Sequence, residues 1–597
     1  MAAKRPAESM TARGARNATP FADAVRIWWS QLRDAGCPER LDAEAIALHA
    51  AVGRAPAHVI RTKDPCPTYR AAAMDGFAVR AADVRDASPS KPKRLTIGKD
   101  AIPVDTGAVM PRDQNAVIPN EAAATDGSAI IVTRPVAPGK HVRLPGDDVP
   151  PGVAIGWPGI ALRPVDCAAL IASGCTTIDV VRRPRLTVIP TGDEIVASGT
   201  ASKPGAVIDS NSPMIAAAAR ATGAEVNVVP VVADDDDALL KALSDAVANS
   251  DVVALLAGSS AGARDRGART IGRAGVVDVR GVATRPARPV ILGHGGAVAI
   301  VNLPGYPASC HFAFEAFVAP LLRRLGGFAD PISRRARLAR GVETDGTREE
   351  WPLATLLTAP GSPRAIVDPL PDIGGGLYRL AMADARFHLR AGATKHPRHV
   401  AVRWTPLRDA DSTASAVFCG PYDPLIEEVA ALAGFRCRWT SDESGEALEE
   451  GTADAVGIIL RGDAVERVRA RLGPDRRMLL LGARREGVAK ARGHDAKDER
   501  HDASDDARTQ PSVDDPWEVA AAVAAGVRES AKTTKYLAER FGLAFEAGDS
   551  ALYAIVWEDR PGHRFPWGIA VAAALGAVER ACETLGWEYI GKGSEVR

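Results

Sequence analysis

An excess charge of either sign is missing from this chain. Its 74 lysines and arginines balance 74 aspartates and glutamates, so no overall field would hold it on nucleic acid or an anionic membrane, and any polyanion site must be local. Cysteine is sparse. Cys37, Cys66, Cys167, Cys175, Cys310, Cys419, Cys437 and Cys582 are scattered without a CxxC pair, which argues against a zinc ribbon, an iron–sulfur site or a disulfide scaffold and fits buried thiols in a reducing compartment. Long apolar runs are absent too, none reaching the ~20 residues needed to span a bilayer. Met1 to Pro20 is Ala- and Arg-rich and lacks the apolar stretch of a secretory signal. No Ser–His–Asp or HExxH pattern appears, and no short-period repeat. The expectation is a soluble, cytoplasmic protein with no membrane or nucleic-acid partner.

The chain has 597 residues, 46% of them hydrophobic and 25% charged, which predicts about four domains of ordinary globular texture. After a polar tail (1–20, read as disordered), apolar residues recur at helical spacing from Phe21 to Leu48 (Val25, Trp28, Trp29 and Leu32, then Ala43, Ile46 and Ala47), with Asp42 placed to cap the second run. Short Val/Ile runs broken by Gly, Pro and Asp then predict a β-rich domain over 56–145. Residues 21–55 and 146–183 form a linker domain around it. Over 184–327, near-continuous apolar strands alternate with amphipathic helices, which predicts a parallel sheet covered on both faces. A small β domain follows over 328–404. A second α/β pattern occupies 411–597, with a strand at Ser415 to Cys419, a helix from Pro424 to Leu432 and a polar turn at Ser441 to Gly445. It is interrupted by 484–515, a stretch of Arg, Lys, Asp, His and Ser read as a disordered insertion because it cannot offset its ordering entropy.

Acids and small residues cluster at the turns. Met74-Asp75-Gly76 precedes a strand-like run and reads either as an Asp-Gly hairpin turn or as a ligand carboxylate. Asp105-Thr106-Gly107, with Asn120-Glu121 beyond it, and Gly146-Asp147-Asp148 are similar loops. Thr191-Gly192-Asp193-Glu194 carries more weight, because it ends the strand Leu186 to Pro190 at the edge where open α/β sheets bind ligands. Asp209-Ser210-Asn211 precedes a helix, and Asp234-Asp235 ends the next strand. Ala257 to Gly262 is a small-residue turn suited to cradling a phosphate, with Asp265 after it. Arg285 and Arg288 add cations, and Pro304-Gly305-Tyr306 leads into the closing helix. Jointly these features describe a site for a phosphorylated anion and a divalent metal, with carboxylates suited to Mg²⁺.

The ordered series MDGFAV, TGAVMP, LPGDD, RRPRLTVIPTGDEIV, VIDSN, AGSSAGARD, TRPARP and NLPGYPAS resembles the molybdopterin molybdenumtransferase family, the MoeA and gephyrin E-domain enzymes, over about residues 20 to 404. The resemblance implies an elongated α/β multidomain chain. It also implies Mg²⁺-dependent insertion of molybdate into adenylylated molybdopterin with release of AMP, in a homodimer whose clefts combine the parallel-sheet domain of one subunit with the β-rich domain of the other. The implied partners are the adenylyltransferase that supplies the substrate and the molybdoenzymes that receive the product. Carried over motif by motif, the catalytic acids fall on Asp75, Asp148, Glu194, Asp235 and Asp265, with Glu194, Asp235 and Asp265 at the metal. Substrate contacts fall on Thr106, Thr191, Gly192, Gly258, Ser260, Gly262, Arg285, Arg288, Pro304 and Gly305. The chain departs from the family's usual residues at Ala72, Ala257, Arg285, Arg288 and Tyr306. Arginine at 285 and 288 keeps the charge of the usual lysines but not their shape.

Gly420-Pro421-Tyr422 and Ala453-Asp454-Ala455-Val456-Gly457 resemble the periplasmic-binding-protein-like domain (LysR substrate-binding type) fused to some relatives. That resemblance implies an oxyanion site, open between molybdate and tungstate, or a structural role. A catalytically degenerate scaffold that binds or senses molybdopterin or oxyanion is the alternative reading of the whole chain.

Overall fold

The computed structural model describes residues 18–200, 204–257, 261–331, 334–356, 365–370 and 376–408, together with seven strands beyond 414. Helix α1 (Phe21–Asp34) buries Ala24, Trp28 and Leu32, one residue per turn. It stops at Gly36, whose φ of 90° and N–H bond to the Arg33 carbonyl close the last turn. The second helical run is a correction: Ala43–Ala47 is strand β1, paired antiparallel with Thr177–Val181. Five residues make little more than one helical turn, and a partner strand satisfies their backbone better.

In the β-rich part, strand β2 (Gly76–Val79) lies between β3 (Ala101–Val104) and β4 (Ala116–Pro119). The Asp-Gly pair makes no hairpin turn, since Gly76 is the first residue of β2. A Cβ there would collide with the Ile118 carbonyl oxygen and lie 2.9 Å from the Pro119 Cα. The glycine is required by close approach of two backbones. With Thr177–Val181 as β5, the chain then enters a six-stranded sheet.

That sheet contains β6 (Arg185–Pro190), β7 (Glu225–Val228), β8 (Val252–Ala257), β9 (Val276–Arg280), β11 (Ile291–Gly295) and β12 (Val298–Pro304), in the order β7-β6-β8-β12-β11-β9; the two-residue strand β10 (Thr284–Arg285) lies outside it. Helices α2 (Asn211–Ala221), α3 (Asp236–Asn249) and α4 (Ala261–Ala274) are interleaved. Pro307–Ala313 (α5), a π-turn Phe314–Val318 and Ala319–Leu325 (α6) close the unit. Alternation within each strand explains the continuous apolar runs. Leu186, Val188, Val252, Ala254, Leu256, Val301 and Leu303 pack with α1, α2, α5 and α6, whereas Ile189, Val253, Leu255 and Ile300 pack with α3 and α4. This three-layer arrangement matches the expectation, but the sheet is not wholly parallel. β11 and β9 are antiparallel, because the turn at Gly296, with φ 59°, joins β11 to β12 as a tight hairpin.

The 330–404 stretch forms a closed barrel of β13 (Arg334–Leu338), β15 (Leu353–Leu356), β16 (Ala365–Pro369), β17 (Ala385–His388) and β18 (Ala401–Pro406), with helix α7 (Gly376–Met382) between β16 and β17. It is stitched to the α/β unit by β14 (Glu349–Glu350), which pairs parallel with β10. Trp351 reinforces the seam, its ring 4.8 Å from Phe21, 4.9 Å from Phe312 and stacked on His388 at 4.6 Å, while buried Arg386 lies over Phe312.

Strands β19 (Ser415–Cys419), β20 (Arg436–Thr440), β21 (Ala455–Leu460), β22 (Arg476–Lys490), β23 (Ser530–Thr534), β24 (Ala544–Glu558) and β25 (Glu595–Val596) form a mixed sheet. β19 runs parallel to β20 and β21, and β24 is antiparallel to β21 and β22. β22 continues through Lys490, paired with β23 and β24. Residues 484–490 of the stretch read as an insertion are therefore paired strand; 491–515, the expected helix at Pro424 and the turn at Ser441 lie outside the described residues, as does the tail before residue 18. Among the described residues no helix is long and apolar enough to cross a membrane.

Candidate active site

The first cluster forms around the exposed carboxylate of Asp75. The Thr106 N–H donates to its Oδ1 at 2.6 Å, in a turn where Gly107 takes φ 88°. That N–H, with the Thr106 hydroxyl, holds the Asp75 carboxyl below the usual carboxylate range. The Asn120 N–H donates to the Asp75 carbonyl at 3.2 Å. Three sequence-distant motifs thus converge on one turn. Asp148 stands apart from this bond network, its carboxylate 3.1 Å from the Arg143 guanidinium.

The second cluster lies at the carboxyl ends of β6, β8 and β12. Thr191 is buried and its hydroxyl donates to the Leu256 carbonyl at 3.1 Å. Gly192, at φ 137°, holds backbone that favours glycine, and a Cβ there would lie 2.9 Å from the Ile195 side chain and 3.0 Å from the Glu194 carboxylate, displacing both. The turn thereby exposes Asp193 and Glu194. The Asp234 N–H donates to Asp193 at 3.0 Å, and Arg266 of α4 stands 3.2 Å from the Asp234 carboxylate. Burial pushes the Asp234 carboxyl up; Arg266 opposes the shift, and the charges of Asp193 and Glu194 add to it. Thr191, Asp234, Arg266 and Asn302 line a pocket here with Leu239, Leu255 and Gly267. Among the described residues, no hydrogen-bond partner reaches the buried Asn302 Oδ1.

Asp235 is engaged differently from Glu194. It caps α3, its carboxylate accepting the Ala238 N–H at 2.8 Å. Gly258 and Ser260 lie outside the described residues, and α4 carries Gly262 and Asp265 in its first turns, with side chains also outside the description. Among the described residues no three carboxylate, histidine or cysteine side chains stand close enough to hold a metal ion. Likewise, among those residues, no hydrogen bond or ion pair joins the Asp75 cluster to the Glu194 cluster.

The cationic loop runs along the barrel seam. Arg285 pairs through β10 with Glu350, whose carboxylate is 3.8 Å from its guanidinium. Buried Ala287, at φ 69°, separates it from half-buried Arg288. A non-glycine residue at such φ stores strain that surrounding structure must over-determine. Beside this loop, the Asn211 amide donates to the Gly305 carbonyl at 2.7 Å, and the Tyr306 hydroxyl accepts the Gly376 N–H of α7 at 2.8 Å. Sequence reasoning quoted Asp193 and Asp234 within their clusters but passed over them as site members, and it missed Arg266 and Asn302. The run Asp234 to Asp237 before an amphipathic helix carried a capping signal that separates Asp235 from Asp234.

Residues 19–174 match the family described as MoeA N-terminal region (domain I and II), and residues 187–324 the family described as probable molybdopterin binding domain. The chain is 30% identical over 375 residues to the molybdopterin molybdenumtransferase of Nostoc sp., covering 86% of that protein and 59% of this chain. The chain belongs to the molybdopterin molybdenumtransferase family. Molybdopterin molybdenumtransferase 2 of Mycobacterium tuberculosis is 34% identical over 290 residues, 71% of its length and 44% of this chain. Two structures of the molybdopterin biosynthesis MoeA protein from Pyrococcus horikoshii share 28% and 27% identity with it at TM-scores of 0.56 and 0.51. They cover 66% and 65% of this chain and 100% and 99% of those chains. Family membership thus accounts for the α/β unit that presents the Thr191-to-Glu194 turn.

Proposed function

We propose that this member of the family works in molybdenum cofactor biosynthesis in the cytoplasm, inserting molybdate into the dithiolene of adenylylated molybdopterin and releasing AMP as the phosphoanhydride is cleaved. The observation that carries the reading is the Thr191-Gly192-Asp193-Glu194 turn. A buried Thr and a glycine at φ 137° shape the turn, so two carboxylates are presented at the end of the sheet where α/β domains bind ligands. Arg285 and Arg288 supply the cations for an oxyanion, and the helix that follows β8 supplies backbone donors for a phosphate. In this reading Glu194 and Asp265, with the one Asp235 oxygen that capping α3 leaves over, would hold Mg²⁺, which when bound polarises a phosphoryl oxygen. Asp75, Thr106 and Asp148 complete the cleft from the partner subunit of a homodimer.

The domain partition belongs to the same proposal: a linker domain, a β-rich domain to about 145, the molybdopterin-binding unit to about 327, the barrel to 404 and a periplasmic-binding-protein-like domain beyond 411. For the last, β20 and β21, the next two strands along the chain, lie parallel on opposite sides of β19, the strand order at which open α/β sheets bind ligands, which supports an anion site there. The test is turnover of the purified full chain with adenylylated molybdopterin, molybdate and Mg²⁺. Glu194→Gln should release AMP at least ~10²-fold more slowly, as loss of an electrostatic positioning group does. A rate within about threefold of wild type would refute the assignment.

A further inference from the structure

Tyr306 stands in the loop after β12, and its surroundings give it a task. Half of the side chain is exposed, 49% by area, yet its hydroxyl reaches across the domain boundary to accept the N–H of Gly376, the first residue of α7, at 2.8 Å. The ring occupies the space a side chain at 376 would need, since a Cβ there would collide with the Tyr306 phenol. Gly376 is buried. A tyrosine at one position and the absence of a side chain at the other therefore fit as a pair. The residues just before Tyr306, Pro304 and Gly305, are the substrate-loop candidates, and Gly305 is held from its other side by the Asn211 amide. The loop is thus anchored to α2 by one hydrogen bond and to the barrel by another, while the β10–β14 pairing fixes Arg285 to the same barrel.

We propose that Tyr306 is a positioning residue that clasps the Pro304–Gly305 loop to the barrel through Gly376, so that the loop and the Arg285 cation face the substrate in one fixed arrangement. The activity arm of this inference rests on the insertase reading; the structural arm does not.

The experiment uses the full chain and Tyr306→Phe, Tyr306→Ala, Gly376→Ala and the Tyr306→Ala/Gly376→Ala double variant. Hydrogen exchange reads the clasp directly. The Gly376 amide should exchange at least about fivefold faster in Tyr306→Phe, which removes only the hydroxyl, a loss of roughly one hydrogen bond. In the AMP-release assay Tyr306→Phe should lower kcat/KM by about fivefold with the melting temperature unchanged, and Gly376→Ala should lower it at least as much by displacing the ring. Once Tyr306 is alanine, adding Gly376→Ala should cost nothing more, because the two changes break one interaction. Unchanged exchange at Gly376 in Tyr306→Phe would overturn the clasp. Additive effects of the two alanines, or an unchanged kcat/KM in Tyr306→Phe, would overturn its positioning role. A wild-type chain without turnover but with the exchange difference would refute the insertase reading and leave the clasp standing.

Discussion

Replacing Gly76 by alanine and, separately, Gly107 by alanine makes the same chemical change at two glycines of the Asp75 cluster, and the structure assigns the two changes different costs. At Gly107 nothing lies within 4 Å of an added Cβ, but φ is 88°. The cost is the left-handed backbone penalty of an ordinary residue, about 1–2 kcal/mol. At Gly76 the obstacle is backbone: the Ile118 carbonyl and the Pro119 Cα occupy the position. No side-chain rotation relieves this, so β2 must move away from β4 and strain the pairs Gly76↔Pro119, Phe77↔Ile118 and Ala78↔Val117. Overpacking costs ~1–3 kcal/mol by itself, and two weakened ladder bonds add ~1 kcal/mol each, for a total of about 3–5 kcal/mol. Urea unfolding followed by circular dichroism on the full chain measures both. Gly76→Ala should lose at least about one and a half times the stability of Gly107→Ala. Equal losses, or a Gly76→Ala loss below about 1 kcal/mol, would show that the β2–β4 approach is not as close as described.

Two further outcomes are expected. Burial, with the Arg386 charge, holds His311 down to a pKa of about 4 against 6.5 for the free side chain, so the unfolded chain takes up a proton that the folded chain refuses and stability falls as pH drops from about 6.5 to about 4. The difference approaches about 3 kcal/mol. Because the buried Glu315 carboxyl is pushed up and slopes the opposite way, the comparison is with His311→Gln, whose stability profile should diverge from wild type over that window; parallel profiles would refute the buried neutral imidazole. For the shared cleft, verified heterodimers of an Asp75→Asn chain with an Asp265→Asn chain should recover part of the turnover that each homodimer lacks, and no recovery would count against it.

Much of the fold was legible because its elements are local. The strands ending at Pro190 and Cys419 follow from their apolar runs alone, and the helix expected after Asp209-Ser210 starts at Asn211. What escaped the sequence was decided in one case by a partner far along the chain and in the other by a single tight turn. Ala43–Ala47 is strand because Thr177–Val181 lies beside it, and the sheet is mixed because a hairpin at Gly296 reverses β11. The site followed the same rule. The turns were visible as Gly-acid pairs and the Asp235 cap carried a local signal, but the bond from Thr106 to Asp75 and the seating of Tyr306 on Gly376 were not visible. Each depends on which surface a loop meets after folding, and spacing along one chain does not encode that.

The central claim is that anhydride cleavage and metal insertion are one event on this protein. It is tested most directly by counting AMP released and molybdenum retained in the dithiolene product in the same reaction, with and without molybdate. The account predicts one AMP for each molybdenum inserted, with both products falling together in Glu194→Gln. AMP released at the full rate while no molybdenum enters the product would contradict it.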